Sequence, residues 1–186
     1  MIFIFCAPSG SGKSTMVKHL LTTFPNTFEL SISCTTRAPR GEEIDGREYY
    51  FITPEAFRQR IEQNAFIEYE QVYEGLYYGT LHSEIARIEG NGHHVIFDVD
   101  VKGGIHLKRL FGNRATSIFI CPPSVECLRE RLIGRGDTSP EMIEKRVSKA
   151  ERELEDKEHF DHIIINDDVH QAFSDLDSLI RHTLNH

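Results

Sequence analysis

Apolar residues fall into two rhythms along this chain. Four short runs, at positions 2–5, 95–97, 118–120 and 163–165, are apolar at consecutive residues and rich in β-branched side chains. A strand that is apolar on both faces is buried on both, as in a parallel sheet covered by helices. Elsewhere apolar residues return every three to four positions. Met16, Val17, Leu20, Leu21 and Phe24 form one such stripe, Leu107, Leu110 and Phe111 a second, and Ala172, Phe173, Leu176, Leu179 and Ile180 a third. Each marks an amphipathic helix. Strands alternating with helices predict an α/β fold with a parallel sheet and right-handed crossovers.

Two segments break the rhythm. From about 31 to 81 the pattern turns strand-like and alternating, with half-buried strands predicted at 47–52 and 67–73. A short helix between them is capped by Thr53, with Pro54 at its first position. The second break, about 124–155, holds two helices joined by Gly134-Arg135-Gly136-Asp137. Ser139 and Pro140 open the second of these, whose narrow stripe is Ile143, Val147, Ala150 and Leu154. So thin a stripe predicts a lid that packs only part of the time. The expected organisation is a single domain over 1–186. Its core spans about 1–30, 82–123 and 156–186, with a β-rich lobe at about 31–81 and a helical lid at about 124–155.

Composition narrows the function. The 186 residues are 39% hydrophobic and 27% charged, which suits a folded domain rather than a disordered chain. With 21 Lys+Arg against 29 Asp+Glu the net charge is −8, which argues against nucleic acid or an anionic membrane as partner. No apolar run approaches the roughly 20 residues that cross a bilayer. The first residues lack a basic stretch and read as a strand, not a signal peptide. Cys6, Cys34, Cys121 and Cys127 form no CxxC pair and read as reduced packing residues in a cytoplasmic protein. His159 and His162 belong to no HExxH pattern and read as solvated helix-end residues rather than metal ligands.

The strongest local motif is Ala7-Pro8-Ser9-Gly10-Ser11-Gly12-Lys13-Ser14-Thr15, between a predicted strand and a predicted helix. That is the setting of a P-loop. Its glycines let backbone amides point inward around phosphate oxygens, and the helix N-terminus adds positive potential. Lys13 can reach the β- and γ-phosphates of ATP, and the Ser14 hydroxyl can ligate Mg²⁺. Ala7 stands where the pattern has its first glycine, so the backbone there must suit an alanine. Asp98 and Asp100 end a predicted strand two residues apart, so both could face the P-loop crevice. There they could organise Mg²⁺ and its waters or contact the acceptor, or simply mark a turn. Ten of the fourteen arginines lie in the two rhythm breaks. On an acidic chain that clustering suggests recognition of small anions, although surface ion pairs account for several of them.

The segment Ser33-Cys34-Thr35-Thr36-Arg37-Ala38-Pro39-Arg40-Gly41-Glu42-Glu43-Ile44-Asp45-Gly46-Arg47-Glu48-Tyr49-Tyr50-Phe51 resembles the guanylate kinase family. Thr35, Thr36, Arg37, Arg40, Glu43, Gly46, Tyr49 and Phe51 fill every slot of that family's signature. The likeness continues through Phe66-Ile67-Glu68-Tyr69, Tyr77-Tyr78-Gly79-Thr80, Asp98-Val99-Asp100, Pro122-Pro123-Ser124, Gly134-Arg135-Gly136 and Asn166-Asp167-Asp168. It implies a P-loop NTPase three-layer core with an inserted β-rich nucleotide-binding lobe and a helical lid. It implies transfer of the γ-phosphoryl group of ATP to GMP, and also to dGMP, with Mg²⁺ as cofactor; no residue visibly reads the ribose 2′-hydroxyl, so the sequence leaves the preference between the two open.

The same resemblance implies the sites. Catalysis falls to Lys13, Arg37, Arg131, Arg135 and Arg146. ATP falls to Ala7 through Thr15, with Asn166 near the adenine. GMP falls to Ser33, Arg37, Arg40, Glu43, Tyr49, Glu68, Tyr78, Gly79, Thr80, Asp98 and Asp100. Mg²⁺ falls to Ser14, with Asp98 reaching it through water. The chemistry is coherent: two arginines and a phenol suit a dianionic phosphate. A carboxylate suits the N1–H and N2–H₂ donors of guanine, and a hydroxyl suits its O6. Thr80 keeps that hydroxyl where the family often has Ser. Taken singly, Glu68 also reads as a solvent-facing strand residue, Tyr77-Tyr78 as packing, and Arg131 as a partner of Glu126 or Glu130. Two rivals remain at this level. One is a catalytically dead module of the family that binds proteins, against which Lys13, Ser14, Arg135 and Arg146 speak. The other is a P-loop kinase of phosphorylated sugars, against which Glu68 and Thr80 speak.

Overall fold

The computed structural model describes residues 1–134 and 139–185, and all their side chains but that of Val72. The four doubly apolar runs become adjacent strands. They are β1 (Ile2–Cys6), β7 (His94–Asp98), β8 (Ala115–Cys121) and β9 (His162–Ile165). With β2 (Phe28–Leu30) they form a five-stranded sheet in the order β2-β7-β1-β8-β9. β1 pairs with β8, and β8 with β9, in parallel. Every residue of β1 is buried, as its unbroken apolar run requires. Hydropathy misses β2, because an edge strand of three residues with only Phe28 buried leaves no period to detect.

Helices α1 (Lys13–Thr23), α4 (Val101–Phe111) and α7 (Val169–Leu184) pack on this sheet. α1 and α7 also lie against each other, where His19 stacks on Phe173 at 3.9 Å and meets Asp177 Oδ1 at 2.9 Å. At α4 the chain must be thin. A Cβ on Gly104 would run into Cys6 Sγ and come within 3.1 Å of Phe160. Burial pushes the Cys6 thiol up to about 12. All four cysteines are free thiols. His162 opens β9 rather than ending a helix.

Residues Glu29–Val95 form one compact unit, and Met1–Phe28 with the described residues from Ile96 onward form the other. The Glu29–Val95 unit carries a four-stranded sheet in the order β4-β3-β6-β5. Its strands are β3 (Cys34–Thr35), β4 (Tyr50–Phe51), β5 (Phe66–Tyr73) and β6 (Leu76–Leu81). Two helices complete it, α2 (Pro54–Glu62) and α3 (His82–Gly90). Thr53 caps α2 by accepting from Ala56 N, and Pro54 follows, as the sequence predicts. On one face Cys34, Phe57 and Phe66 form a small core with Tyr50, Ile52, Ile61, Tyr77 and Leu81 around it. The strand expected at 47–52 shrinks to two residues. Glu48 accepts from Ile44 N, Asp45 accepts from Phe51 N, and Gly46 takes φ +78°. Short polar side chains bonded to nearby backbone compete with the ladder and hold a turn there.

β5 and β6 run antiparallel, with a bulge near the start of β5, opposite the end of β6. Phe66 opposes Leu81 and Glu68 opposes Thr80, so two steps on β5 match one on β6.

The two remaining helices are α5 (Val125–Gly134) and α6 (Pro140–Glu155). Ser139 caps α6 by accepting from Met142 N. The narrow stripe of α6 packs more firmly than its width suggests. Ile143, Val147 and Ala150 are buried with Leu128 and Leu132 of α5 in a core of their own. Only Leu154 of that stripe is merely half-buried.

Candidate active site

The segment between β1 and α1 forms a phosphate-sized cradle. Gly10 and Gly12 both take φ +96°, a conformation that disfavours any side chain. Gly12 is the N-cap of α1 and offers no side-chain cap, so the first amides of the helix stay available to an anion. Ala7 is buried and has no positive φ, which explains why alanine serves where the motif has glycine. The cavity above the loop has a volume of about 420 Å³ and is lined by Ala7, Pro8, Ser9, Gly10, Gly12, Lys13, Ser14 and Thr15. Ser11 does not line it, and its buried hydroxyl has no partner among the described residues.

Asp98 and Asp100 line the same cavity. Their roles differ. Asp98 Oδ1 takes the Lys13 ammonium at 2.6 Å, and the same ammonium donates to Val99 O at 2.6 Å. Asp100 caps α4, accepting from Gly103 N at 2.8 Å. Arg146 of α6 reaches the cavity as the sequence predicts, but it does not come alone. Lys149 and Glu153 line the cavity too, and they pair at 3.4 Å. Sequence reasoning missed both. The signal was the spacing from Arg146, three and seven residues on, which puts all three along one side of a helix. Burial raises the Glu153 carboxyl above the usual range.

Two predicted residues sit elsewhere. Arg131 pairs with neither Glu126 nor Glu130; its guanidinium donates to Asn166 O at 2.8 Å and Asp167 O at 3.4 Å. Asn166 is buried, and its side-chain amide donates to Ser11 O at 2.8 Å. Arg135 lies outside the described residues.

In the Glu29–Val95 unit the strand period places three of the predicted GMP residues, Glu68, Tyr78 and Thr80, on one face. Thr35 opposes both Tyr78 and Phe51, and Glu68 opposes Thr80. Opposed residues share a face, so Thr35, Phe51, Glu68, Tyr78 and Thr80 stand together, away from the Phe57–Phe66 core. Ser33 Oγ and the buried Thr80 Oγ1 are 3.1 Å apart. Tyr49 meets Tyr78 edge-on at 5.8 Å, and the Arg37 guanidinium lies 5.0 Å from the Tyr49 ring centre. Gly79 opposes Cys34 and so faces the core side. A Cβ there would come within 2.8 Å of Glu68 O and of Tyr69 Cβ, so the glycine is required by strand packing. The Arg40 side chain is exposed.

Glu43 serves Arg37. Its two oxygens accept from Arg37 Nη1 at 2.6 Å and Nη2 at 2.7 Å, and it also accepts from Arg40 N at 2.8 Å. Those bonds, the Arg37 pair foremost, lower its carboxyl from 4.5 to about 2. The folded value is depressed, so the lock is fully formed above about 4.5 and is lost as pH falls through about 2. Carbon NMR of the Glu43 carboxyl should therefore titrate near 2. A midpoint near 4.5 would mean that the Arg37 lock does not form in solution.

The donor set suits Mg²⁺. No group of three His, Cys, Asp or Glu among the described residues could hold a metal by itself. Mg²⁺ keeps several waters and takes one or two protein oxygens plus substrate phosphates. The exposed Ser14 hydroxyl and the Asp98 carboxylate at the cavity provide oxygens of that kind.

Comparison with known proteins gives the same picture from outside. The guanylate kinase family model matches residues 1–183. A guanylate kinase of Bacteroides thetaiotaomicron is 50% identical over 184 residues, covering 99% of this chain and 90% of that protein. One of Porphyromonas gingivalis is 54% identical over 168 residues, covering 90% and 89%. The crystal structure of guanylate kinase from Anaplasma phagocytophilum superposes with a TM-score of 0.72 at 25% identity, over 98% of this chain and 85% of that one. A P-loop cavity and a face bearing Glu68, Thr80 and the Arg37 lock thus occur in a chain that matches along its whole length, and the chain belongs to the guanylate kinase family.

Proposed function

We propose that this chain transfers the γ-phosphoryl group of ATP to GMP, giving ADP and GDP, with dGMP also accepted. The observation that carries the reading is Glu68 directly opposite Thr80, with Ser33 Oγ against the threonine hydroxyl. A carboxylate acceptor beside a hydroxyl matches the N1–H, N2–H₂ and O6 pattern of guanine. Arg37, Arg40, Tyr49 and Ser33 bind the acceptor phosphate. Glu43 positions Arg37 rather than touching the nucleotide.

The triphosphate occupies the cavity of the P-loop. The amides at the start of α1 and the Lys13 ammonium bind its oxygens, with Lys13 leaving Asp98 Oδ1 and Val99 O to do so. Ser14, and Asp98 through water, would hold Mg²⁺, which would supply charge neutralisation at the phosphates. Arg146, together with Arg131 and Arg135, places positive charge against the negative charge that develops on the oxygens of the transferring phosphoryl group. Lys149 shares that side of α6. The protein forms no covalent bond; it positions two anions and stabilises the charge of transfer.

No helix among the described residues is long and apolar enough to cross a membrane. Four free thiols suit the reducing cytoplasm, where we place the enzyme. An ADP-release assay across all nucleoside monophosphates tests the reading. Rapid release with GMP supports it, and a preference for AMP, UMP or a sugar phosphate would replace it.

A further inference from the structure

The P-loop is held from behind as well as capped by a helix. Leu128 and Leu132 of α5 press on Gly10, where a Cβ would come within 3.3 Å and 3.1 Å of them. Asn166 closes the other side. Its Nδ2 donates to Ser11 O at 2.8 Å in a buried bond, and it stands so near Gly12 that a Cβ there would run into it. Asn166 is fixed in turn. Its backbone amide donates to Cys121 O at 2.8 Å at the end of β8, and its carbonyl accepts from Arg131 Nη2 at 2.8 Å. Every bond of this chain is short, and its centre is buried.

We propose that Asn166 is a positioning residue for the P-loop, fixing the Ser11–Gly12 backbone through the Ser11 carbonyl, and that Arg131 holds Asn166 in place from α5. One N–H of the side-chain amide is held by the loop in a buried bond, so loss of that bond falls on the phosphates, which all nucleoside triphosphates share. The geometry of the loop decides where the amides of Gly12 and Lys13 point. Misplacement of about 1 Å at such a site is worth about a hundredfold. The same bonds give Arg131 a resting place. When it turns toward a phosphoryl group it gives up two carbonyls, so occupancy of the cavity and the hold on Asn166 are coupled.

The proposal rests on the reading of the cavity as a triphosphate site, and one experiment separates the two. Binding of ATP, GTP and inorganic tripolyphosphate is measured by calorimetry on the wild type and on Asn166→Ala, with steady-state kinetics and thermal melting alongside. The expected result is a ten- to hundredfold loss with all three ligands, by about the same factor. The KM for GMP stays within about twofold, because the acceptor site is untouched. A loss confined to ATP would make Asn166 a reader of adenine and overturn the proposal. Unchanged binding would overturn it as well. Failure of the wild type to bind tripolyphosphate would overturn the triphosphate reading and the proposal together. Should Asn166→Ala not fold, Asn166→Ser is measured instead, since its hydroxyl is too short to reach Ser11 O. Failure of both to fold would make Asn166 a folding residue only, against the proposal.

Discussion

Replacing Lys13 by alanine should leave a folded protein whose kcat is lower by about a thousandfold or more. The ammonium meets Asp98 Oδ1, at the cavity, and Val99 O, both at 2.6 Å. Neither belongs to the buried core, and Asp98 keeps contact with water once the lysine is gone. Stability should move by no more than about 1 kcal/mol, the scale of a solvent-accessible ion pair. Catalysis loses far more, because a fixed cation over the β- and γ-phosphates acts where charge develops and water is excluded. Melting temperature and single-turnover rate measured on one preparation check both halves. A Lys13→Ala protein that keeps more than a few per cent of activity would remove the P-loop from the mechanism.

AMP should be a poor acceptor, with kcat/KM about 10⁴-fold below that of GMP. Guanine offers hydrogens at N1 and N2 to the Glu68 carboxylate, whereas adenine presents a lone pair at N1. A site built around such bonds rejects a mismatched ligand because its own polar groups are left unpaired. Glu68 shares its face with the buried Thr80, whose hydroxyl is held 3.1 Å from Ser33 Oγ. Glu68→Gln should lower kcat/KM for GMP and narrow the GMP-to-AMP ratio by at least about tenfold, leaving ATP affinity unchanged. Comparable use of AMP and GMP by the wild type would end the claim that Glu68 and Thr80 read the base.

Much of the molecule was legible in its sequence because the signals are local. A doubly apolar run signals a strand, and the four that stand out are β1, β7, β8 and β9, although at the edge strand β9 only Ile164 is buried while Ile163 and Ile165 are exposed. Thr53-Pro54 and Ser139-Pro140 cap α2 and α6 because an oxygen side chain beside a preset φ needs no distant partner. The P-loop is a contiguous backbone device, so its residues suffice to find it. What escaped depends on partners far away in the chain. Nothing near Asn166 tells that its amide will meet Ser11, 155 residues earlier. Nothing near Arg131 favours two carbonyls over Glu126 or Glu130. The shortness of β4 came from side chains bonding their own loop, which hydropathy does not weigh. Lys149 and Glu153 were hidden for another reason. Charged residues on a helix read as solvent-facing until something shows which side carries the cavity.

The bulge between Phe66 and Glu68 has a bearing on how this protein's taste for a base can change. With the same residues and no bulge, Ile67 would oppose Thr80, and Glu68 would fall opposite Gly79 on the side of Phe57 and Phe66. A carboxylate would then sit in the apolar interior and an isoleucine would greet the purine. On the proposed reading of Glu68 and Thr80, selectivity is encoded as a count of residues as well as a choice of them. A single insertion or deletion upstream in β5 could redraw it while every ligand-touching side chain stays in the sequence. Lineages that drift in length at this spot can lose guanine recognition with all their recognition residues intact.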